Sequence, residues 1–406
     1  MCKPEKICVH YKICGGCSAQ DVPYAEQLAR KSAALAAFFS AYWQNPVSIT
    51  PAPDKWYYRN KMEFSFSRQI DRTRTTPDTP KYFEDRFGMK EKGRWDRAFD
   101  LTECLISSPD AGALLAAVRN WAQATSTQYL DAKMHTGQLR HLLVRDGKNT
   151  DGKLVVLFLK SGGFDRDGFV KAIQSVWPDA AILCGENDAK SDTAQAETLV
   201  HLAGPEYITE KFFIGPADSP ELEITFKITP RSFLQTNTHA AERLYSRVRE
   251  LVSGLNCEKL YDLYGGAGGL GFACHDKTKT VVSVEFVADA VRDGRENAAA
   301  NNITNVDFIC AKTEDWLDEQ VKSGVKFPDN GVFLLDPPRA GLHPKALKYI
   351  LAIRPKHIIY VSCNAKSLAK EMTELSTAYT IENLEAFDLF PHTEHVETVA
   401  LLKLKE

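Results

Sequence analysis

Lys259-Leu260-Tyr261-Asp262-Leu263-Tyr264-Gly265-Gly266-Ala267-Gly268-Gly269-Leu270-Gly271 carries the pattern that decides the fold. Residues 259–263 read as a short strand, and glycines follow at once. Glycine lets a backbone approach a ligand closely and turn directly into a helix. A second apolar strand, 280–284, ends on Glu285, where a carboxylate can accept both hydroxyls of a ribose. Gly266, Gly268 and Gly271 satisfy the G-x-G-x-x-G spacing of dinucleotide sites. The same layout holds the adenosine half of S-adenosylmethionine, and an acid inside the first strand, here Asp262, is more typical of that use. The turn by itself leaves both cofactors open.

Working outward, apolar segments at 306–309, 331–335 and 357–361 alternate with helical stretches at 288–301 and 344–352. Short apolar strands separated by helices indicate a parallel sheet covered on both faces. The third of these strands to carry a motif breaks into Asp336-Pro337-Pro338-Arg339-Ala340-Gly341, and the next runs into Ser362-Cys363-Asn364. Ligands bind at the carboxyl ends of such strands, so Asp336 and Cys363 are expected at one edge, beside the glycine turn. A helix following Cys363 would favour its thiolate.

Methylation of a uracil ring is one chemistry that needs such a thiolate. Carbon 5 of a uracil is too weak a nucleophile to take a methyl group from a methylsulfonium. A thiolate adding to carbon 6 pushes electron density onto carbon 5, and a base must then remove the carbon-5 proton so that the thiol can leave. Glu397, at the mouth of the apolar run 398–402, is a candidate base whose pKa burial would raise.

The upstream half reads as β-rich. Met62, Phe64 and Phe66 alternate with polar residues, and 140–145, 153–160 and 221–227 follow similar patterns. Helices are expected at 109–125, at 165–176, and from Asp21 as cap and Pro23 in the first turn to about Trp43. Residues 55–94 hold eleven Lys or Arg against six Asp or Glu, interleaved with Trp56, Tyr57, Tyr58, Phe64, Phe66, Tyr82, Phe83 and Phe87. That mixture suits stacking on single-stranded RNA, or equally a solvated β-domain with aromatics in its core. Cys2, Cys8, Cys14 and Cys17 crowd a segment too short to hold its own core, so a metal staple is expected there.

The bulk properties set the frame. A chain of 406 residues, 44% hydrophobic and 25% charged, fits a soluble enzyme of two or three domains. A net charge of −3 excludes a global positive field, so any RNA surface must be local. No apolar run approaches the ~18 residues of a membrane span. The opening Met1-Cys2-Lys3-Pro4 lacks the apolar core of a signal peptide. A cytoplasmic protein is expected, with its ten cysteines as thiols or ligands rather than disulfides.

Three long motifs, DPPRAG at 336–341, IIYVSCN at 358–364 and FDLFPHTEHVE at 387–397, resemble the signatures of the RNA 5-methyluridine methyltransferases. Ser232-Phe233-Leu234-Gln235-Thr236-Asn237 resembles the entry to that family's catalytic domain, and YRNKM at 58–62 and LRHL at 139–142 resemble segments of its central domain. The resemblance implies Cys363 as nucleophile and Glu397 as general base. It implies Gln235, Tyr264, Gly266, Glu285 and Asp336 as contacts to S-adenosylmethionine, with Asp336 also near the target base. Arg339 and His395 match motif positions without an assigned role. Cys8-x5-Cys14-x2-Cys17 with Cys104 resembles the [4Fe–4S] site of the ribosomal-RNA branch, zinc being the chemical rival.

The implied fold is α/β, a Rossmann-like class I methyltransferase domain with a mainly parallel doubly wound sheet. A β-rich α+β RNA-binding domain and a short iron–sulfur segment precede it. The expected boundaries are 1–20 for the cysteine segment, 21–227 for the RNA-binding domain and 228–406 for the catalytic domain, with the helix near 24–43 able to pack on the last. The expected function is methylation of carbon 5 of a flipped-out uridine in 23S ribosomal RNA, by a monomer with no membrane and no obligate protein partner. Transfer RNA is the alternative substrate; a non-catalytic RNA-binding or ribosome-assembly factor and a nicotinamide-dependent oxidoreductase are the rival classes. The sequence departs from the family in Gly265 where many members have Cys, Gly269 where several have a polar residue, and Ser367 for Thr. It also starts at the cysteines, without the small N-terminal TRAM-type β-barrel of some members.

Overall fold

The structure, a computed structural model, describes residues 6–406, so Cys2 lies outside the described residues. Along the chain the elements are α1 (Tyr24–Phe39), β1 (Ser48–Thr50), β2 (Lys61–Ile70), β3 (Phe83–Lys90), β4 (Ala98–Asp100), α2 (Ala111–Ala124), β5 (Leu139–Asp146), β6 (Lys153–Leu159), α3 (Arg166–Gln174), β7 (Ala181–Glu186), β8 (Leu199–Ala203), β9 (Ile208–Ile214) and β10 (Leu222–Ile228). There follow α4 (Thr238–Gly254), β11 (Lys259–Leu263), α5 (Gly269–Cys274), β12 (Thr280–Glu285), α6 (Ala288–Ala300), β13 (Val306–Cys310), α7 (Thr313–Lys322), β14 (Gly331–Leu335), α8 (Pro344–Ile353), β15 (His357–Ser362), α9 (Ala365–Leu375), β16 (Tyr379–Phe387) and β17 (Glu397–Leu404). No helix among the described residues is long and apolar enough to cross a membrane.

The chain divides into two compact units. One comprises the segment ending at Asp21, Lys55–Glu210 and Ile228–Pro230; the other comprises Val22–Asp54, Lys211–Lys227 and Arg231–Glu406. In the first unit seven strands form one sheet in the order β4-β3-β2-β5-β6-β7-β8. It is antiparallel except where β6 crosses over through α3 to pair in parallel with β7. The alternation of Met62, Phe64 and Phe66 puts all three into a core with Leu114, Val118, Trp121, Phe169 and Ile173 from α2 and α3. Phe66 stacks on Phe87 with ring centroids 4.0 Å apart. The aromatics of 55–94 therefore divide: Tyr58, Phe64, Phe66 and Phe87 are core, while Tyr82 and Phe83 are exposed.

In the second unit the sheet order is β1-β16-β17-β15-β14-β11-β12-β13. Strands β11 to β15 are parallel, and β17 runs antiparallel between β15 and β16. The order reverses on either side of β11, so the glycine turn that follows β11 sits at the switch point where such sheets bind ligands. Strands β14 and β15 are buried almost throughout, which is why they read as continuous apolar runs rather than alternations. Leu263, Val284, Phe333, Leu335, Ile358, Tyr360, Ala400 and Leu402 share one core.

The chain passes from one unit to the other after Asp21, Asp54, Glu210, Lys227 and Pro230. β1 pairs with β16 at the sheet edge, Ile49 opposite Ala386. The backbone of β10 is stitched to α6, where Asn301 Oδ1 accepts from Thr225 N–H and Asn297 Oδ1 from Lys227 N–H, both at 2.8 Å. Periodicity marks these strands but cannot say which sheet they join. α1 also differs in detail. Pro23 is its N-cap residue and it ends at Phe39, short of Trp43. Asp21 does not cap it; its carboxylate accepts the Tyr11 hydroxyl at 2.6 Å.

Candidate active site

The register of the second sheet assembles the site. Leu263 lies opposite both Val284 and Leu335, and Leu335 opposite Tyr360. One step further along, the strand tips therefore present Glu285, Tyr264 and Asp336 at one edge. β15 and β17 are antiparallel with Ser362 opposite Thr398. One step beyond, Cys363 comes level with Glu397, at the amino end of β17 and so at the same edge. Residues scattered over the last third of the chain are brought together by ladder geometry alone.

The glycine turn is held from two sides. Tyr264, at φ +67°, and Gly265 both donate backbone N–H to Val284 O, at 3.0 and 3.1 Å. A left-handed conformation at a tyrosine is uncommon and concentrates at functional sites. Glu285 bridges the turn and the start of α6, accepting Gly266 N–H at 3.2 Å and Val287 N–H at 2.7 Å. Asp262 lies fully buried beneath it. A Cβ on Gly265 would stand 2.1 Å from Ser283 Oγ and 2.8 Å from Asp262 Oδ2, so the turn can pass over these groups only as glycine. A Cβ on Gly269 would stand 2.8 Å from the Tyr245 hydroxyl. The two departures from the family pattern thus fall where Ser283 and Tyr245 fill the space.

Asp336 begins a loop that is tied to the loop of Cys363. Asn364 Nδ2 donates to Arg339 O at 2.9 Å, and Ser367 Oγ donates to the same oxygen at 3.2 Å. Arg339 donates to the ring of His395 at 2.9 Å, tying that loop to the segment before Glu397. The same segment is fixed from α1. Lys31 Nζ contacts Asp388 Oδ1 at 2.7 Å, and the Tyr24 hydroxyl donates to Asp388 Oδ2 at 2.8 Å. His392, itself at φ +65°, donates its backbone N–H to Gln27 Oε1 at 2.9 Å. Gln235 is buried just ahead of α4, whose N-cap Asn237 also donates to Leu389 O at 3.0 Å.

Electrostatically the site is a string of carboxyls. Burial, with the charge of Glu285 adding to it, pushes Asp262 up to about 7. Burial and Asp262 push Asp336 up to about 7. Burial and Asp336 push Glu397 up to about 8, partly offset by Arg339. One oxygen of Glu397 and one of Asp262 are buried without a hydrogen-bond partner. Cys363 departs from expectation. Although α9 starts two residues on, burial and the charges of Glu397 and Asp336 push its thiol up to about 11, with Arg339 opposing. Burial and the two acids thus favour the thiol, and a positive charge brought to the site would favour the thiolate.

That acid string decides between the two cofactors the glycine turn left open. A dinucleotide would set an anionic diphosphate at the amino end of α5, a helix of only six residues, on the sheet edge that carries the carboxyls of Asp336 and Glu397. S-adenosylmethionine brings a sulfonium and an ammonium to the same carboxyls. Tyr245 on α4 was not legible as part of this site. Its buried ring stacks on Phe212 at 5.6 Å, and Asp336, Asp262 and Glu397 all act on its hydroxyl. No local pattern distinguishes it from an ordinary core tyrosine.

In the other unit Cys8, Cys14, Cys17 and Cys104 line one apolar cavity with His10, Met62 and Met89 among its walls. The sulfur of Cys8 accepts His10 N–H at 3.4 Å and that of Cys14 accepts Gly16 N–H at 3.3 Å. Burial pushes the Cys14 thiol up to about 11 and the Cys17 thiol up to about 12. Among the described residues, no group of three or more His, Cys, Asp or Glu is arranged to hold a metal ion. The four thiols surround the cavity without closing on a single ion.

Fold and site together define a class I S-adenosylmethionine-dependent methyltransferase. Residues 203–405 match the profile of the tRNA (uracil-5-)-methyltransferases, and the chain belongs to that family. A protein of Clostridium tetani described as an uncharacterized RNA methyltransferase is 35% identical over all of this chain and 85% of its own length. One of Clostridium acetobutylicum, described in the same words, is 32% identical over 98% of this chain and 84% of its own. Among solved structures, the tRNA (uracil-54, C5)-methyltransferase of Pyrococcus abyssi, in complex with S-adenosyl-L-homocysteine, superposes with a TM-score of 0.75. It is 28% identical and covers 96% of this chain and 86% of that one.

Proposed function

We propose that the protein methylates carbon 5 of a uridine in ribosomal RNA, with Cys363 as covalent nucleophile and Glu397 as the base that completes the reaction. The observation that carries this is the level placement of Cys363 and Glu397 across the β15–β17 ladder, beside Asp336 and the glycine turn. S-adenosylmethionine supplies an electrophilic methyl on sulfur. Cys363 adds to carbon 6 and so makes carbon 5 nucleophilic. Once carbon 5 carries the methyl group, the Glu397 carboxylate takes its proton and the carbon 6–sulfur bond breaks, returning the Cys363 thiolate. Tyr264, Gly266, Glu285 and Gln235 hold the cofactor, and Asp336 faces both cofactor and base.

The four cysteines support an iron–sulfur cluster. Four sulfurs line one apolar cavity and two accept backbone N–H groups, which suits a cluster whose four thiolates leave it with a net negative charge. Nothing in the methyl transfer uses an electron, so the cluster's part is structural. The cysteine pattern favours ribosomal RNA. The likeness to the Pyrococcus abyssi enzyme favours transfer RNA as the second reading.

The deciding experiment incubates the protein, assayed for iron and acid-labile sulfide, with tritiated S-adenosylmethionine and unmodified ribosomal and transfer RNA. The expected product is 5-methyluridine in ribosomal RNA. Label confined to transfer RNA would replace the substrate, zinc in place of iron and sulfide would replace the cluster, and no 5-methyluridine at all would sink the proposal.

A pH dependence follows from the acid string. Glu397 acts as carboxylate and Cys363 as thiolate, and both are held up by burial and by Asp336. The single-turnover rate is therefore expected to rise with pH through about 8, where Glu397 loses its proton, and on toward about 11, where Cys363 does. Removing the Asp336 charge in Asp336→Asn lowers both values, so the rising limb should move to lower pH even though the variant is slower overall. A limb that stays in place would show that Asp336 does not set it.

A further inference from the structure

We propose that the end of the first unit's sheet where residues 71–83, 91–97 and 131–136 meet is a docking surface for an unpaired stretch of RNA. This rests on the reading of the protein as an RNA enzyme and names the surface by which it holds its substrate.

The three segments are locked to one another. Arg97 donates to Ile70 O at 2.7 Å and pairs with Glu84 at 3.2 Å, which joins the 91–97 turn to the start of the 71–82 hairpin loop. Lys133 pairs with Asp96 at 2.8 Å, which joins the 131–136 turn to the 91–97 turn. The cysteine segment braces the middle turn from the other side, since Lys92 N–H donates to Ile13 O at 2.8 Å and Cys14 bridges Glu91. The surface is built, rather than a set of independent loops.

It presents large apolar side chains to solvent. Trp95 is 61% exposed, Met134 69%, Phe83 43% and Tyr82 37%. Two of the rings carry a guanidinium, Arg74 lying 4.4 Å from the centre of Tyr82 and Arg68 5.3 Å from that of Phe83. Aromatic faces beside cations are the platform on which unpaired bases stack.

The charge left over is mainly positive, with Asp78 the exposed carboxylate among it. Asp96 is buried against Arg94 and Lys133, and Asp131 accepts the backbone N–H groups of Lys133 and Met134. Asp71 accepts the backbone N–H and the hydroxyl of Thr73, and Glu91 pairs with Arg97. Arg72, Arg74, Lys81 and Lys92 are exposed and make no ion pair with any described residue. A chain whose net charge is −3 thus sets its unmatched cations beside its exposed aromatics. That pairing fits a partner with phosphates and free base faces, and fits an acidic protein less well because such a partner does not use the rings.

Two variants test it, both at exposed positions where folding should be unaffected: Tyr82→Ala with Phe83→Ala, and Arg72→Ala with Arg74→Ala and Lys81→Ala. Binding to a ribosomal-RNA transcript and a transfer-RNA transcript is measured by filter retention over a salt series, beside KM, kcat and thermal unfolding. The aromatic pair is expected to weaken binding and raise KM about tenfold at unchanged kcat and melting temperature. The triple charge variant should lower the slope of log affinity against log salt by roughly 2. Binding and salt slope equal to wild type in both variants would overturn the proposal and leave the surface to a protein partner. Because binding is read directly, this outcome is separate from a failure of the wild-type protein to form 5-methyluridine.

Discussion

Cys363→Ala should abolish methylation, by at least about 10⁴-fold (about 5 kcal/mol of barrier), while leaving the fold and S-adenosylmethionine binding intact. The effect is large because the cysteine creates the nucleophile rather than assisting one: without addition at carbon 6, carbon 5 has no electron pair to offer. The half-buried thiol lies outside the core that Leu335, Ile358 and Leu402 share, so its loss costs little stability. Glu397→Gln separates the two halves of the reaction. The thiolate can still add and carbon 5 can still be methylated, but the carbon-5 proton stays, so protein and RNA should remain joined in a complex that survives a denaturing gel. Residual turnover in Cys363→Ala above a hundredth of wild type, or a covalent complex formed by that variant, would remove Cys363 from the mechanism. Free 5-methyluridine at the wild-type rate from Glu397→Gln would remove Glu397.

The second large effect lies away from the chemistry. Lys31 and Asp388 form an ion pair with side chains 5% and 0% exposed. Lys31 also donates to Phe390 O at 3.3 Å, and Tyr24 completes the set on Asp388. Breaking a buried pair by removing one partner leaves a charge that nothing compensates, at a cost of about 3–5 kcal/mol. Lys31→Met should accordingly unfold roughly 10 °C lower than the wild type. Lys31→Met with Asp388→Leu should recover most of that loss, because no charge is then stranded. The loop pinned by this pair leads directly into Glu397, so kcat should fall in the single variant while KM for S-adenosylmethionine changes little. A single variant as stable as the wild type would mean that water reaches Asp388 and the pair is not closed.

Both results bear on what could be read from sequence. The strand–turn–strand run at 259–285, the Asp336 loop and the Cys363 loop were legible because their signals are local: apolar runs ending in glycine, proline or a polar group. Their placement at one sheet edge followed from the rule that parallel strands share a direction. The Lys31–Asp388 pair was not legible, because its partners stand 357 residues apart and a lysine on a helix reads as solvated. The same limit hid the attachment of β1 to β16 and of β10 to α6. Asp21 read as a helix cap and proved to be the partner of Tyr11, since both uses need only a short acidic side chain near a turn. The thiolate-favouring helix after Cys363 was correctly placed but outweighed, because desolvation and two neighbouring acids are three-dimensional properties.

The β15–β17 ladder also governs which changes in chain length the enzyme can survive. Side chains alternate between faces at every step of a strand, so pairing shifted by one residue turns a whole set to the other side. The register that sets Ser362 opposite Thr398 also buries Val399, Ala400 and Leu402. One residue inserted within 398–402 would keep the packing of both buried faces only by rotating Glu397 away from Cys363, or keep Glu397 only by exchanging the side chains of one face for those of the other. Deletions there face the same choice. The segment thus acts as a ruler for the reaction, tolerant of exchanging one apolar side chain for another yet intolerant of any change in count.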